Sequence, residues 1–334
     1  MPLLRQTTIA KPIEITGIGV HSGLASSIKM KPLAANMGII FERTDIKEDN
    51  QIFASIENVV DTRGATTLSN DSGVVVSTIE HLMAALAAFN ITNILICIDS
   101  RETPIMDGSS APFIEAINKA GTLELDAPQK VLTVTRPVEI IDENRWVRLE
   151  PRSPHPNSKD GAGDGFADEP GIEFDIFQAF NGREGLKDQQ HSIFISSQSF
   201  STDISKARSF GFYEDAQKLY AAGLAKGSSL ENAVVFKDGE VMNPDGLRYE
   251  NEMVRHKILD AVGDFFLCGY PMDFKCSGSN IGHELNNLIM RKLLSTPDAF
   301  ELRTFPMISG EAKKSAIMPS LVNSLNIQQN LSYS

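Results

Sequence analysis

Short runs in which apolar, often β-branched, residues alternate with polar ones open the chain and predict β-strands. They lie at residues 12–20 (PIEITGIGV), 26–33 (SSIKMKPL) and 37–44 (MGIIFERT), and turn-forming residues separate them. The first part of the chain therefore begins as a sheet.

A helical period follows these strands. In STIEHLMAALAAF the apolar residues Ile79, Leu82, Met83 and Leu86 recur at the i, i+3, i+4, i+7 spacing of one helix face. We then expect a buried strand at NILICID, a second helix at SAPFIEAINKAG that ends at Gly121, and a linker at TLELDAPQK.

The second part of the chain repeats the order of strands and then helices. Strands are predicted at VLTVTRPVEII, RWVRLEP, GIEFDIFQAF and HSIFIS. A long helix is predicted at YENEMVRHKILDAVGDFFLCG and another at HELNNLIMRKLL.

Two successive sets of strands and helices predict an α+β protein of two similar two-layer halves, each a sheet packed against helices. The duplication is inferred from this pattern, since the halves share no residue-level repeat. The predicted domains are residues 1–126 and 127–306, followed by a weakly patterned tail at 307–334. Residues 154–170 are rich in Gly, Pro, Asp and Ser and predict an exposed loop, to which the sequence assigns no function.

Composition restricts the class of protein. With 334 residues, 42% of them hydrophobic and 22% charged, the chain can bury a large core. It shows neither an N-terminal apolar segment nor a run of eighteen apolar residues, so we expect a cytoplasmic protein without a transmembrane segment. Three cysteines, Cys97, Cys268 and Cys276, form no CxxC pair and are expected to be reduced.

The formal net charge is −12, and no run of Lys or Arg offers a surface for phosphate backbones. We therefore expect no nucleic-acid partner. A few local cations can still bind a small anion, because charges act over roughly 10 Å at ordinary ionic strength.

Candidate chemistry centres on three of the six histidines, His81, His256 and His283. His256 and Asp260 are four residues apart, so on a helix they share one face and can hold one metal ion, with Asp264 a further turn along. His81 can supply a third ligand, which leaves the fourth position of a catalytic zinc ion to water. Zinc lowers the pKa of bound water from about 16 to about 7, and the neighbouring Glu80 is placed to take its proton.

Each of these candidate residues can also be explained by a purely structural role. Residues 77–80 fit a helix capping box, in which Glu80 would only satisfy the helix N-terminus. His81 can be an ordinary hydrogen-bonded helix residue, His256 and Asp260 a plain i, i+4 ion pair, and His283 an N-terminal helix residue. The spacings by themselves leave these alternatives open.

Longer sequence motifs around these residues favour the catalytic interpretation over the structural one. IEHLMAALAAFNITN, PIMDGSSAPF, ARSFGF, GLRYENEMVRHKILDAVGD and GHELNN, together with GIGVHSG near the start, occur in the order that is typical of one family. Over about its first three hundred residues the chain resembles the UDP-3-O-acyl-N-acetylglucosamine deacetylases of lipid A biosynthesis. This resemblance implies two similar α+β domains with the site at their interface, and hydrolysis of an acetamide to a free amine and acetate.

The resemblance also implies residue roles. His81, His256 and Asp260 match the family's zinc ligands, Glu80 its general base and His283 the group that helps to protonate the leaving amine. Asp264 would orient His283, Lys257 would lie near the substrate's phosphates, and a hydroxyl donor would help to stabilise the oxyanion.

The family also has an insertion in the second domain that forms an apolar passage for the acyl chain. Residues 200–236 occupy that place, and Phe210 and Phe212 fit its lining, although either can equally be ordinary core. Ser209 stands where the family pattern usually has threonine, so the hydroxyl donor is kept.

One departure concerns the substrate's diphosphate. The family usually has a lysine three residues before the histidine that corresponds to His283, whereas this chain has Asn280. Lys275 from a rearranged loop, or Lys257 alone, would have to replace it.

Two other functions are compatible with the residues. One is a zinc hydrolase of another amide or acetylated sugar, a peptidase or a phosphoesterase, although the chain has no HExxH. The other is a binding protein with a structural metal, although structural zinc favours four protein ligands and cysteine. The sequence does not decide between zinc and iron(II), nor the preferred acyl chain, and we expect a monomer.

Overall fold

The computed structural model describes residues 3–153, 170–180, 182–183 and 186–306. The predicted tail at 307–334 and residues 154–169 of the predicted loop lie outside this part. The first set of elements, in chain order, is β1 (Arg5–Ile9), β2 (Ile13–Ile18), β3 (Ala25–Pro32), β4 (Ile39–Arg43), β5 (Gln51–Phe53), β6 (Val59–Asp61), β7 (Thr67–Ser69), β8 (Val75–Ser77), α1 (Glu80–Ala88), β9 (Ile94–Ile98), α2 (Ala111–Ala120) and β10 (Thr122–Pro128).

The second set continues the chain. It comprises β11 (Lys130–Val134), β12 (Val138–Asp142), β13 (Arg145–Glu150), β14 (Ile172–Gln178), β15 (Gln189–Ile195), α3 (Ser197–Ser199) with a π-helical turn (Phe200–Ile204), β16 (Phe210–Phe212), α4 (Tyr213–Ala221), β17 (Val234–Lys237), β18 (Glu240–Val241), α5 (Glu252–Phe266), β19 (Met272–Ser279), α6 (His283–Ser295) and β20 (Phe300–Thr304).

A five-stranded sheet of order β2-β3-β9-β4-β5 forms the framework of the first part. Strand β9 runs antiparallel to β3, with Ile28 opposite Ile98, and parallel to β4. A small sheet of order β6-β7-β8 leads directly into α1. The predicted second helix ends as expected, because Gly121 follows α2 with a φ of 75°.

A seven-stranded sheet forms the framework of the second part. Its central strand β19 is antiparallel to β13 and parallel to β11 and β14. Residues of β19 alternate between buried and half-buried positions, so one face of the sheet lies on the core. The insertion adds a separate small sheet of order β16-β17-β18.

Helices α1 and α5 pack against each other, and their apolar residues share one buried cluster with residues of both large sheets. The predicted α+β class, with sheets packed against helices in both parts of the chain, is confirmed. The domain bounds 1–126 and 127–306 stay a prediction. The three cysteines are free thiols, as expected.

The linker predicted at TLELDAPQK is wrong. Residues 122–128 form β10, which pairs antiparallel with β1. The sequence does carry the alternating pattern of a strand, because Leu123, Leu125 and Ala127 alternate with exposed neighbours.

None of the described helices is both long enough and apolar enough to cross a bilayer.

Candidate metal and active site

The candidate site lies where α1 and α5 are in backbone contact. A Cβ atom on Gly263 would collide with the carbonyl oxygen of Glu80 and would stand 3.0 Å from the backbone nitrogen of Ala84. Because glycine has no side chain, the two helix backbones can meet at this point. This contact places Glu80 and His81 beside the face of α5 that carries His256 and Asp260.

Three buried side chains converge across this contact. His81 from α1 and His256 and Asp260 from α5 each offer one ligand atom, and these atoms lie within 4.8 Å of one another. The Nε2 atoms of His256 and His81 are 3.3 Å and 3.6 Å from Oδ1 of Asp260. The structure thus brings together the three residues that the sequence predicted as metal ligands.

A divalent cation fits this set. Oδ1 of Asp260 is buried and has no hydrogen-bond partner among the described residues. An unpartnered buried carboxylate oxygen is costly, and a cation held between the three side chains would satisfy it. Two imidazoles and one carboxylate suit zinc and other first-row divalent metals.

His256 and Asp260 have the protonation states that metal binding needs. Nδ1 of His256 is 3.1 Å from the carbonyl oxygen of Ala207, to which it donates its hydrogen, so Nε2 presents its lone pair to the site. Burial lowers the pKa of His256 to about 3. Burial opposes ionisation of Asp260, but the positive charges around it, that of Lys257 among them, outweigh burial and lower the pKa of that carboxyl below its usual range.

Glu80 stands beside the three ligands as the first residue of α1 and is 3% exposed. The backbone N–H of Thr66 donates to its Oε2 at 3.0 Å, while its Oε1 is 4.0 Å from Nε2 of His283. Burial raises the pKa of Glu80 above its usual value.

The alternative interpretation of Glu80 as part of a capping box is wrong. The N-cap of α1 is Ile79, and within the described residues no side chain caps this helix. Ser77 instead shares a hydrogen bond with Thr67 at 2.7 Å. The carboxylate of Glu80 turns away from the helix terminus because Thr66 holds it inside the site.

His283 and Asp264 form the second half of the site. Nδ1 of His283 is 2.9 Å from Oδ2 of Asp264, which also accepts a hydrogen bond from Nδ2 of Asn286 at 2.9 Å. The other oxygen of Asp264 accepts the hydroxyl of Thr66 at 2.6 Å. Burial alone would lower the pKa of His283, but the Asp264 and Asp260 carboxylates raise it to about 10.

These groups face a cavity of roughly 470 Å³. Its lining combines the candidate catalytic groups with three cations and a partly apolar wall. The lining residues are Thr62, Arg63, Gly64, Glu80, His81, Arg145, Ser209, Phe210, His256, Lys257, Asp260, Gly282, His283 and Glu284.

Among the predicted substrate-contacting residues, Ser209, Phe210 and Lys257 line the cavity. The ring centroid of Phe210 is 6.3 Å from that of His256, and Nζ of Lys257 is 3.2 Å from Oδ2 of Asp260. Phe212 is not among the described lining residues. It packs on Phe236 in the small cluster of the insertion.

The residues around the altered diphosphate contact have structural partners. Asn280 adopts a φ of 53° and donates to the carbonyl oxygen of Asn144 at 3.1 Å, and its own side-chain oxygen accepts the N–H of Ala179 at 2.8 Å. Lys275 lies in β19, 3.9 Å from Glu173, and outside the described lining of the cavity. Of the two candidate lysines, the structure therefore favours Lys257.

Sequence reasoning missed three supporting residues. Thr66 holds both Glu80 and Asp264, Asn286 holds Asp264, and Gly263 permits the close contact of α1 and α5. Asn286 lies within the GHELNN string and could have been found there. Nothing local marks Thr66, whose partners are distant in sequence.

Comparison with known proteins agrees with this geometry. The family model for UDP-3-O-acyl N-acetylglycosamine deacetylase matches residues 6–295. The chain belongs to this family. Proteins named UDP-3-O-acyl-N-acetylglucosamine deacetylase from Photobacterium profundum, Shewanella oneidensis and Shewanella loihica are 40%, 42% and 41% identical to it over 304 residues, which cover 91% of this chain and 94% of each relative. The resemblance found in the sequence motifs is thus confirmed.

Proposed function

We propose that this family member is a zinc-dependent deacetylase that hydrolyses the acetamide of UDP-3-O-(3-hydroxyacyl)-N-acetylglucosamine to a free amine and acetate, the committed step of lipid A biosynthesis. It would act in the cytoplasm as a monomer. The relatives' names support the substrate class. The observation that carries the proposal is the convergence of His81, His256 and Asp260 beside Glu80, with His283 across the same cavity.

His81, His256 and Asp260 would hold the metal, which when bound polarises the acetamide carbonyl and makes water more acidic. Glu80 then acts as the general base. Its buried carboxylate has a raised pKa, and one of its oxygens is free of the Thr66 contact, so it can take a proton from the attacking water.

His283 acts as the general acid when the carbon–nitrogen bond breaks. Its Nδ1 is held by Asp264, and its Nε2 lies 4.0 Å from Glu80, so the proton on Nε2 faces the same reacting centre. With a pKa of about 10 the imidazole is cationic at neutral pH and can give that proton to the leaving nitrogen. The products are then acetate and an amine.

Ser209 and Lys257 are proposed to act on the substrate's oxygen atoms. Ser209 lines the cavity with a hydroxyl that can donate to the oxyanion of the tetrahedral intermediate. Lys257, with Arg63 and Arg145 on the same lining, supplies positive charge for the diphosphate in a protein whose net charge is −12. Phe210 would contact the acyl chain, whereas Phe212 packs on Phe236 in the insertion.

Acetate and amine release from the purified protein test the proposal. The assay is run on the protein as isolated, after chelation and after zinc is restored, with Glu80→Ala as the variant and the exposed Glu115→Ala as its control. Activity should vanish on chelation, return with zinc, and fall by about 10² or more in Glu80→Ala alone, as is usual for loss of a general base.

The outcomes separate the two parts of the proposal. Stoichiometric metal binding without amine release would contradict the substrate while leaving the metal site in place. Activity that survives in metal-free protein would contradict the mechanism.

A further inference from the structure

Four ionisable residues follow one another at intervals of four along α5. They are Glu252, His256, Asp260 and Asp264, and their exposed fractions are 0%, 4%, 1% and 2%. The last three take part in the proposed site. Glu252 is the most deeply buried of the four, and the proposed reaction leaves it without a role.

The carboxylate of Glu252 forms a buried two-point ion pair with Arg208. Nε of Arg208 is 2.8 Å from Oε1 and Nη2 is 3.1 Å from Oε2. The backbone N–H of Arg208 donates to Oε1 at 3.0 Å, and that of Arg248 donates to Oε2 at 2.7 Å. The side chain of Arg208 is 5% exposed, so water and salt weaken this pair little.

The residues on either side of Arg208 belong to the site. The carbonyl oxygen of Ala207 accepts the Nδ1 hydrogen of His256 at 3.1 Å, and Ser209 lines the cavity. The carboxylate of Glu252 accepts hydrogen bonds from both the backbone and the side chain of Arg208. It therefore fixes the segment that orients one ligand and presents the candidate oxyanion donor.

We propose that Glu252, acting through Arg208, is a positioning residue for the metal site. It holds the Ala207 carbonyl against His256, and this contact keeps Nε2 of His256 directed at the position of the metal. Glu252 and His256 are one turn apart on α5. Glu252 is joined to Arg208 by the ion pair, and Ala207, the residue before Arg208, is hydrogen-bonded back to His256. Loss of any of these contacts would let the imidazole of His256 rotate away from the position of the metal.

The inference rests on the proposed metal site, and its test measures metal binding instead of catalysis. Zinc affinity of metal-free protein is determined by competition with a chromophoric chelator for Glu252→Gln and Arg208→Lys. The matched control is Asp273→Asn, which breaks another nearly buried pair, that of Arg152 and Asp273 at 2.9 Å, away from the cavity. All measurements are made well below the thermal transition of each variant.

We expect the two variants to bind zinc about 10- to 100-fold more weakly than the unsubstituted protein, the usual effect of losing a contact that orients a metal ligand. Asp273→Asn should lose thermal stability without losing zinc affinity. In protein loaded with cobalt(II), the visible absorption bands should shift in the Glu252 and Arg208 variants and stay unchanged in the control.

Folded variants whose zinc affinity stays within twofold, and whose cobalt spectra are unchanged, would show that the pair only stabilises the fold. If Glu252→Gln fails to fold, Arg208→Lys decides alone, because it keeps the charge and loses only the two-point geometry. The unsubstituted protein is titrated first. Absence of zinc binding there would overturn the proposed function, whereas normal binding there and in both variants would overturn only this inference.

Discussion

Gly263 and Glu80 touch through their backbones, and this contact sets the distance between the two helices that carry the site. Gly263→Ala would force α5 away from α1 and separate His81 from His256 and Asp260. We expect a loss of about 1 to 3 kcal/mol in the free energy of unfolding and a large loss of zinc affinity. Denaturant unfolding and zinc titration measure both.

Gly211→Ala is the control for this substitution. Gly211 lies in the insertion with open space around its Cα, so an added methyl group should leave stability and zinc binding unchanged. Normal zinc affinity in Gly263→Ala would show that the helices can separate without disturbing the ligands.

The pH dependence of the reaction should depend on Asp264. His283 must carry a proton to act as the acid, and its pKa is raised to about 10 in part by Asp264. Rates should therefore fall as the pH rises through that pKa. Asp264→Asn removes the negative charge, lowers the pKa of His283, and should move the alkaline limb of the kcat profile to lower pH. An unchanged alkaline limb would contradict the assignment.

The two candidate lysines for the diphosphate can be separated by kinetics. Lys257 lines the cavity, whereas Lys275 lies beside Glu173 on β19. We expect Lys257→Ala to raise KM by roughly tenfold, about 1.4 kcal/mol of binding, and Lys275→Ala to leave it unchanged. An equal effect of the two substitutions would show that Lys275 reaches the substrate.

Zinc should stabilise the fold, because His81 and the other two ligands come from helices far apart in the chain. Zinc at about 100 times its Kd should add about 2.7 kcal/mol to the free energy of unfolding. His81→Ala should lose most of the resulting rise in Tm, while His191→Ala, on β15, should keep it. A full rise in the His81 variant would remove that residue from the ligand set.

The two phenylalanines should differ in their effect on acyl-chain selection. Phe210 lines the cavity, whereas Phe212 packs on Phe236. Phe210→Ala should raise KM more for long-chain than for short-chain substrates, and Phe212→Ala should chiefly lower Tm. The same chain-length dependence in both variants would show that the acyl chain extends to Phe212.

The candidate metal ligands were predictable from the sequence for two different reasons. His256 and Asp260 follow from i, i+4 spacing, which a helix converts directly into proximity. His81 lies 175 residues before His256, so spacing does not join it to them. The need for a third ligand and the neighbouring Glu80 suggested it, and the motif resemblance then implied it.

The support around the ligands was harder to predict. Thr66 meets Asp264 across 198 residues of sequence, between two elements whose approach depends on the packing of α1 on α5. Local periodicity carries no information on such pairs. Glu252 is different, because it continues the i, i+4 series one turn before His256, and extending that series would have found it.

The four-residue spacing from Glu252 to Asp264 also explains how α5 contacts three different partners. Four residues span about 400° of an α-helix with 3.6 residues per turn, so each member is displaced by about 40° from the one before, and the series sweeps through about 120°. Glu252 thus meets Arg208, His256 and Asp260 meet His81 on α1, and Asp264 meets His283 on α6. Because one extra residue would turn everything beyond it by about 100°, the segment from Glu252 to Asp264 cannot change in length without dismantling the site.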